Sequence, residues 1–343
     1  MDLKSRRLCI VPRVSGTGGM VSFQVRFKRA LEARGAAVTV GLEDEPYDAV
    51  LVIGGTKQLP DLLRVKRKGI PIIQRLNGMN WIHRRRRTGT RHYLRSEWGN
   101  WLLSTIRSRI ASTVVYQSTF AQEWWERVYG DTRAPHSVVY NGVDLEEFSP
   151  RGTEVRPSDR VRLLVVEGRL DGGYELGLDY ALSLSRHLQK KLDLALELLI
   201  AGQASAQLQK EYAGDVGVML NWAGVISPED IPSLDRSAHA LFSSDIHPAC
   251  PNSVIEAMAS GLPVIAFATG ALPEMILGDS GRIVPYGSDP WKLEDPDFGS
   301  LADAAIEVFQ DQERFRIGAR AHAVDAFGIE RTVQGYLSAL GWS

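Results

Sequence analysis

Cysteine is almost missing from this sequence: Cys9 and Cys250 stand alone, one in each half. Two thiols so far apart set up no disulfide framework, which fits a reducing compartment, and neither has a spacing that suggests a nucleophile. Long apolar runs are missing too. None approaches the roughly 20 residues that a membrane-spanning helix needs. The opening "MDLKSRRLCIVPRVSG" carries basic residues, but its apolar run stops at Pro12, so it does not read as a signal peptide. The expectation is a cytoplasmic protein, free or peripheral on the inner face of the membrane. The seven histidines are scattered without metal-ligand spacing, and no metal is expected. Neither charge dominates. A formal net charge of -1 over 343 residues excludes a polyanion binder that works through its whole surface, so a basic site must be local. No nucleic-acid motif occurs, and nucleic acid is not expected as a partner.

What the chain has in quantity is apolar material, 44% of its residues, enough for a core, in a length that favours about two domains. Strand-like runs alternate with helix-like segments. "RRLCIVP" reads as a strand; Met20, Phe23, Phe27, Ala30 and Leu31 follow at helical spacing, and Gly35 closes the helix. "AAVTV", "DAVLVIGG", "PIIQRL", "STVVYQS" and "SVVYNGV" are the other strand candidates of the first half, with helices over "LPDLLRVKRKG" and "AQEWWERVYG". The second half repeats the plan with "RLLVVEG", "ALELLIAG", "GVMLNWAG", "HALFSS" and "PVIAFA". Between the halves, "NGVDLEEFSPRGTEVRPSDR" is polar, holds two prolines and has no period, and reads as a linker. The pattern predicts an α/β protein of two Rossmann-like parallel-sheet domains facing across a cleft, the first over residues 1–148. Ligands of such sheets bind at the carboxyl ends of the strands.

The stretch "CPNSVIEAMASG" combines a polar helix start with one acid on its first turn. Pro251 presets the start, Asn252 or Ser253 can cap it, and Ser253 with Glu256 matches a capping box. The other reading is functional: unpaired N–H groups at the helix start bind a phosphate, and Glu256 accepts hydrogen bonds from a ribose. In "VPRVSGTGGMV", Gly16, Gly18 and Gly19 lie between a strand and a helix, where glycine lets a backbone approach a phosphate or sugar. The spacing is neither G-x-G-x-x-G nor a P-loop, and a plain tight turn fits equally. The composition is most unusual in "WIHRRRRTGTRHYLRSEWGNWLL". Arg84, Arg85, Arg86, Arg87, Arg91 and Arg95 face one acid, Glu97. This is either a solvated charged segment or a patch for anionic lipid headgroups or a phosphate-bearing acceptor, with Trp81, Trp98 and Trp101 at the interface.

"SVIEAMASGLPVIAFATGALPEMI" resembles the donor-binding segment of glycosyltransferase family 4, and "VVYNGVDLEEFSP", "VVEGRLDGG" and "AFGIERTVQGYLSAL" resemble other segments of that family in the right order. The resemblance spans most of the chain. It implies the GT-B fold, a nucleotide-sugar-binding second domain over residues 149–325, and a final helix, 326–343, that crosses back to the first domain. It implies a retaining, metal-independent transfer of a hexosyl group from a nucleoside-diphosphate sugar to a hydroxyl of a glycan or lipid-linked acceptor, with no cofactor. By the same resemblance Glu256 holds the ribose, Arg169 holds the diphosphate, Asn252 and Ser253 open the donor helix, Gly18 and Gly19 face the donor, and Asn77 stands where many members carry a sugar-contacting histidine. Two positions depart from the family. Its first acid falls at Pro248, leaving Asp245 or His247 to reach in, and its lysine falls at Tyr174. These departures motivate a rival, a non-catalytic nucleotide-sugar binder or assembly partner. A sugar-nucleotide epimerase of the same overall fold is a second rival, although it lacks the family segments.

Overall fold

The computed structural model describes residues 3–16, 18–86, 89–171, 175–214 and 217–342. The chain forms two compact units, one from residues 1–142 with 329–343 and one from 143–328. The first unit holds β1 (Arg7–Val11), α1 (Gly19–Glu32), β2 (Ala37–Thr39), β3 (Ala49–Ile53), α2 (Leu59–Arg67) and β4 (Ile72–Leu76). It continues with α3 (Thr90–Thr105), β5 (Thr113–Tyr116), α4 (Thr119–Tyr129) and β6 (His136–Val138). The second unit holds β7 (Arg160–Arg169), α5 (Leu176–Gln189), β8 (Ala195–Gln203), α6 (Ala206–Tyr212), β9 (Met219–Gly224), α7 (Ile231–Arg236) and β10 (Ala240–Ser243). Then come α8 (Asn252–Ala259), β11 (Val264–Phe267), α9 (Leu272–Met275), β12 (Gly281–Val284), α10 (Phe298–Gln310) and α11 (Gln312–Ala326). The last helix, α12 (Ile329–Leu340), belongs to the first unit.

Each unit is built on a six-stranded sheet whose strand pairs are all parallel, in the orders β2-β1-β3-β4-β5-β6 and β12-β11-β10-β7-β8-β9. The sequence dictates this. Strands such as β3, "AVLVI", are buried along their whole length. They read as unbroken apolar runs because helices cover both faces of a parallel sheet. In both sheets the chain lays strands outward in one direction and then returns to the other side of the first. The reversal falls between β1 and β3 in one sheet and between β7 and β10 in the other. Such switch points are where open parallel sheets bind ligands, beyond the strand carboxyl ends.

In the first unit α12 closes the core against α1. Tyr336 lies 4.9 Å from Phe27 and 5.3 Å from Phe23, ring centroid to centroid. The Thr332 hydroxyl donates to the Tyr140 carbonyl at 3.0 Å. Among the described residues no helix is long and apolar enough to cross a membrane.

β12 has no counterpart in the sequence reading. "GRIV" is too short and too little patterned to declare itself, yet it pairs along β11 from Val264↔Gly281 to Phe267↔Val284. Gly281 is required by close approach: a Cβ there would lie 2.0 Å from the Val264 carbonyl oxygen. Gly281→Ala is expected to cost about 1–3 kcal/mol, the usual range for overpacking against a rigid neighbour. It should lower the melting temperature clearly, whereas Gly214→Ala, whose Cβ meets nothing within 4 Å, should leave it near wild type.

Candidate functional site

In the second unit the site grows from the carboxyl ends of the two strands at the switch point. The β7–β8 pairing shifts register between Val166 and Arg169, a bulge that re-aims the side chains beyond it. Leu170 N–H then rejoins the Gln203 carbonyl at 2.9 Å. Arg169 is exposed at this strand end and forms no ion pair among the described residues. Glu167, two residues earlier, is half-buried. Its Oε1 accepts a hydrogen bond from the hydroxyl of Ser244, just past β10, at 2.5 Å. Gly177, in the first turn of α5, permits this contact: a Cβ there would lie 2.7 Å from Ser244 Oγ.

Asp245 follows directly. Desolvation first, and the Asp245 carboxylate second, push Glu167 up to about 8, and desolvation raises Asp245 as well. Desolvation and the neighbouring Asp245 charge both favour keeping a proton on Glu167. Sequence reading named Asp245 but overlooked Glu167. The one available signal was an acid placed directly before "GRL" at the end of an apolar strand.

The sign of the Glu167 shift has a measurable consequence. Between the ordinary carboxylate range and about 8, the folded state retains a proton that the unfolded state has released, so stability is lost as pH rises through that window. Glu167→Gln, which cannot ionise, should remove this loss. Melting curves of the two proteins at pH 5 and pH 8 should show the variant gaining on wild type at the higher pH. Parallel curves would place the proton elsewhere.

After β10 the chain turns into α8. Pro251 takes the cap position and offers no side-chain acceptor; Asn252 and Ser253 are the first two helical residues. The capping-box expectation is thereby corrected: Ser253 is inside the helix and caps nothing, because Pro251, with its φ fixed at -71°, takes the cap two residues earlier. The amide end of this helix is left without a capping side chain, an arrangement that favours an anion. Glu256 is 8% exposed. Behind it lies Asp235 on α7, 1% exposed and raised well above the usual carboxylate range by burial and then by the charge of Glu256. Nothing in the sequence announced that pair.

His247 and Pro248 form a fixed loop beside α8. His247 is buried at φ +58°, its ring stacked 3.6 Å from that of Trp291. Burial pushes its pKa down to about 4, so the ring is neutral at ordinary pH. The Pro248 carbonyl accepts from Ala271 N–H at 2.8 Å. Gly270 presses on the same loop, where a Cβ would come within 2.6 Å of Pro248 Cδ. Tyr174 lies outside the described residues.

In the first unit, Gly18 caps α1 at φ +121° with no side-chain cap, and a Cβ on Gly18 or Gly16 would meet nothing within 4 Å. Gly19 is the first helical residue. Asn77 follows β4. Its carbonyl accepts from Trp125 Nε1 at 2.7 Å, and a Cβ on Gly54, at the end of β3, would lie 3.7 Å from Asn77 Oδ1. Asn77 and the start of α1 therefore share the carboxyl end of this sheet. Arg75, which sequence reading passed over inside "PIIQRL", is a buried cation. Its Nη2 donates to Asn141 Oδ1 at 2.9 Å, and its guanidinium lies 4.0 Å over the Phe23 ring.

The arginine run does not behave as one patch. Arg84 donates from Nε and Nη2 to the two oxygens of Glu97 at 2.6 and 2.8 Å, and His83 Nε2 lies 2.7 Å from the same carboxylate. The Arg84 hydrogen bonds, aided by His83, hold Glu97 down at about 2. Arg84 is thus committed to Glu97. Arg85 and Arg86 line a cavity of about 600 Å³, and Arg87 lies outside the described residues.

Two Rossmann-like units, each with its switch-point crevice, define the GT-B class of α/β proteins, and the comparisons agree. Sucrose-phosphate synthase from Thermosynechococcus elongatus superposes with a TM-score of 0.74 at 16% identity, over 98% of this chain and 100% of that one. Anabaena HepE in complex with UDP-glucose gives 0.67 at 16%, over 98% and 99%. Family descriptions match in sequence: "Glycosyltransferase Family 4" over residues 41–147 and "Glycosyl transferases group 1" over 161–311. The chain belongs to glycosyltransferase family 4.

Among curated relatives, a GDP-mannose-dependent alpha-(1-6)-phosphatidylinositol dimannoside mannosyltransferase of Mycobacterium tuberculosis is 26% identical over 67% of this chain and 57% of its own length. The MMP alpha-(1->4)-mannosyltransferase of Mycolicibacterium hassiacum is 27% identical over 55% and 44%. The chain spans about half the length of these curated relatives.

Proposed function

We propose that this protein transfers a hexosyl group from a nucleoside-diphosphate sugar to a hydroxyl of a glycan or lipid-linked acceptor, with retention of configuration and without a metal. The observation that carries the reading is the helix start at Pro251–Ser253, without a capping side chain, on the same sheet end as Arg169 and one turn before the buried Glu256. Cleavage of a glycosyl–phosphate bond builds negative charge on the leaving diphosphate. Helix N–H groups and a guanidinium already aimed at that charge stabilise it without reorganisation. Arg169 takes the diphosphate and Glu256 accepts from the ribose hydroxyls. In a front-face substitution the leaving phosphate oxygen takes the acceptor's proton, so no protein base is needed. In this scheme Gly18 and Gly19 face the donor, and Asn77 contacts the sugar or acceptor.

The second reading, a nucleotide-sugar binder without turnover, is favoured by Pro248, which replaces an acid and is held by Gly270 and Ala271. One assay separates the two. UDP-glucose, bound by HepE, and GDP-mannose, named for the mycobacterial relative, are supplied with and without acceptor. Release of free nucleoside diphosphate that depends on acceptor supports transfer, and the anomeric configuration of the product tests retention. Binding without release supports the second reading, and conversion of the sugar without acceptor would point to an epimerase.

A further inference from the structure

Positions 91, 94, 95, 98 and 101 of α3 recur at three- and four-residue spacing and share one face. They are Arg91, Leu94, Arg95, Trp98 and Trp101, and all are exposed: Leu94 by 68%, Trp98 by 53% and Trp101 by 48%. The two indoles stack on each other with centroids 4.7 Å apart. The opposite face is anchored. Asn100 is fully buried, accepts from Asn80 N–H at 2.9 Å and donates to the Asn80 carbonyl at 2.8 Å. The outer face is therefore held in a fixed orientation. The only acid on α3, Glu97, is ion-paired with Arg84, and His83 Nε2 lies 2.7 Å from the same carboxylate. Arg85, Arg86, Arg91 and Arg95 form no ion pair among the described residues. The cavity beside Leu94 and Tyr93 opens onto Arg85 and Arg86.

Four uncompensated guanidiniums thus surround an exposed ridge of leucine and stacked tryptophan, and exposed apolar patches of this kind mark interaction sites. A soluble polyanion would satisfy the arginines and leave the ridge in water. An apolar protein groove would cover the ridge and strand the charges. A surface with anionic phosphates outside and acyl chains beneath satisfies both, with indoles at the depth of the headgroups. We propose that the outer face of α3 docks on an anionic phospholipid bilayer. Leu94, Trp98 and Trp101 seat in the interface, while Arg91, Arg95, Arg85 and Arg86 meet lipid phosphates. Arg84 takes no part.

The test is co-sedimentation of the full chain with mixed phosphatidylglycerol–phosphatidylcholine vesicles and with phosphatidylcholine alone, with tryptophan emission recorded. No sugar donor or acceptor is present, so the outcome does not depend on the transferase reading. The protein should bind only the anionic vesicles, with emission shifted to shorter wavelength, and should be released by salt. Arg91→Gln with Arg95→Gln, and separately Trp98→Ser with Trp101→Ser, should each weaken partitioning by roughly tenfold or more. These residues are exposed, so both variants should keep the wild-type melting temperature. Wild type that ignores anionic vesicles at low salt would overturn the proposal. So would vesicle binding that survives the tryptophan exchange unchanged, which would reduce the contact to plain charge attraction shared with any polyanion.

Discussion

Arg169→Ala is expected to reduce glycosyl turnover by about a hundredfold or more, the usual loss when one charge partner of a transition state is removed. The melting temperature should stay close to wild type, because Arg169 is exposed and forms no ion pair among the described residues. The charge it meets grows as the glycosyl bond breaks, so kcat should fall more than KM rises. Arg169→Lys should recover only part of the rate, since an ammonium keeps the charge and loses the planar fork that fits a diphosphate. The readout is acceptor-dependent release of nucleoside diphosphate. Wild-type turnover in the alanine variant would remove Arg169 from the mechanism.

Glu256→Gln should weaken donor binding by about 1–3 kcal/mol, the range for hydrogen bonds to a charged group, or roughly 5- to 150-fold in Kd. The exchange keeps shape, so no cavity is created. It also removes a like charge from beside Asp235, whose carboxyl is raised by burial and by Glu256. Stability should therefore hold or rise while affinity falls. Donor affinity can be followed by thermal shift, since a ligand that binds only the folded state raises its apparent stability. Unchanged affinity with a lowered melting temperature would make Glu256 a structural residue of α8.

The sequence carried the layered plan because buried parallel strands such as β3 are apolar throughout and need no partner to be recognised. It did not carry the strand order. Whether β10 lies beside β9 or returns to β7 is decided by tertiary packing, and that choice creates the crevice. β12 was lost because four residues give no period. The capping box spelled by Ser253 and Glu256 puts the cap of α8 two positions too late, because the helix opens directly after Pro251. The arginine run shows the limit most clearly. Four consecutive identical residues look alike on paper, but among the described ones α3 folds back so that Glu97, 13 residues away, pairs with Arg84 and not with Arg85 or Arg86. Glu167 and Ser244, 77 residues apart, are likewise a product of strand order. Residues that act locally were legible; pairs made by the fold were not.

The placement of α12 also sets a timetable for the ribosome. The first unit is completed by residues 329–343, which supply Val333, Tyr336 and Leu337 to its core. Everything needed for the second unit emerges before them. Its own ends are already tied together, with Val143 N–H donating to the Phe327 carbonyl at 2.9 Å and a bridge joining Val143 and Gly328. The second unit is thus complete in the growing chain before the first. Until residues 329–343 are made, Phe23 and Phe27 lack the Tyr336 ring that packs against them. Domains generally fold as units during synthesis, and here the unit begun first in the chain is the one completed last.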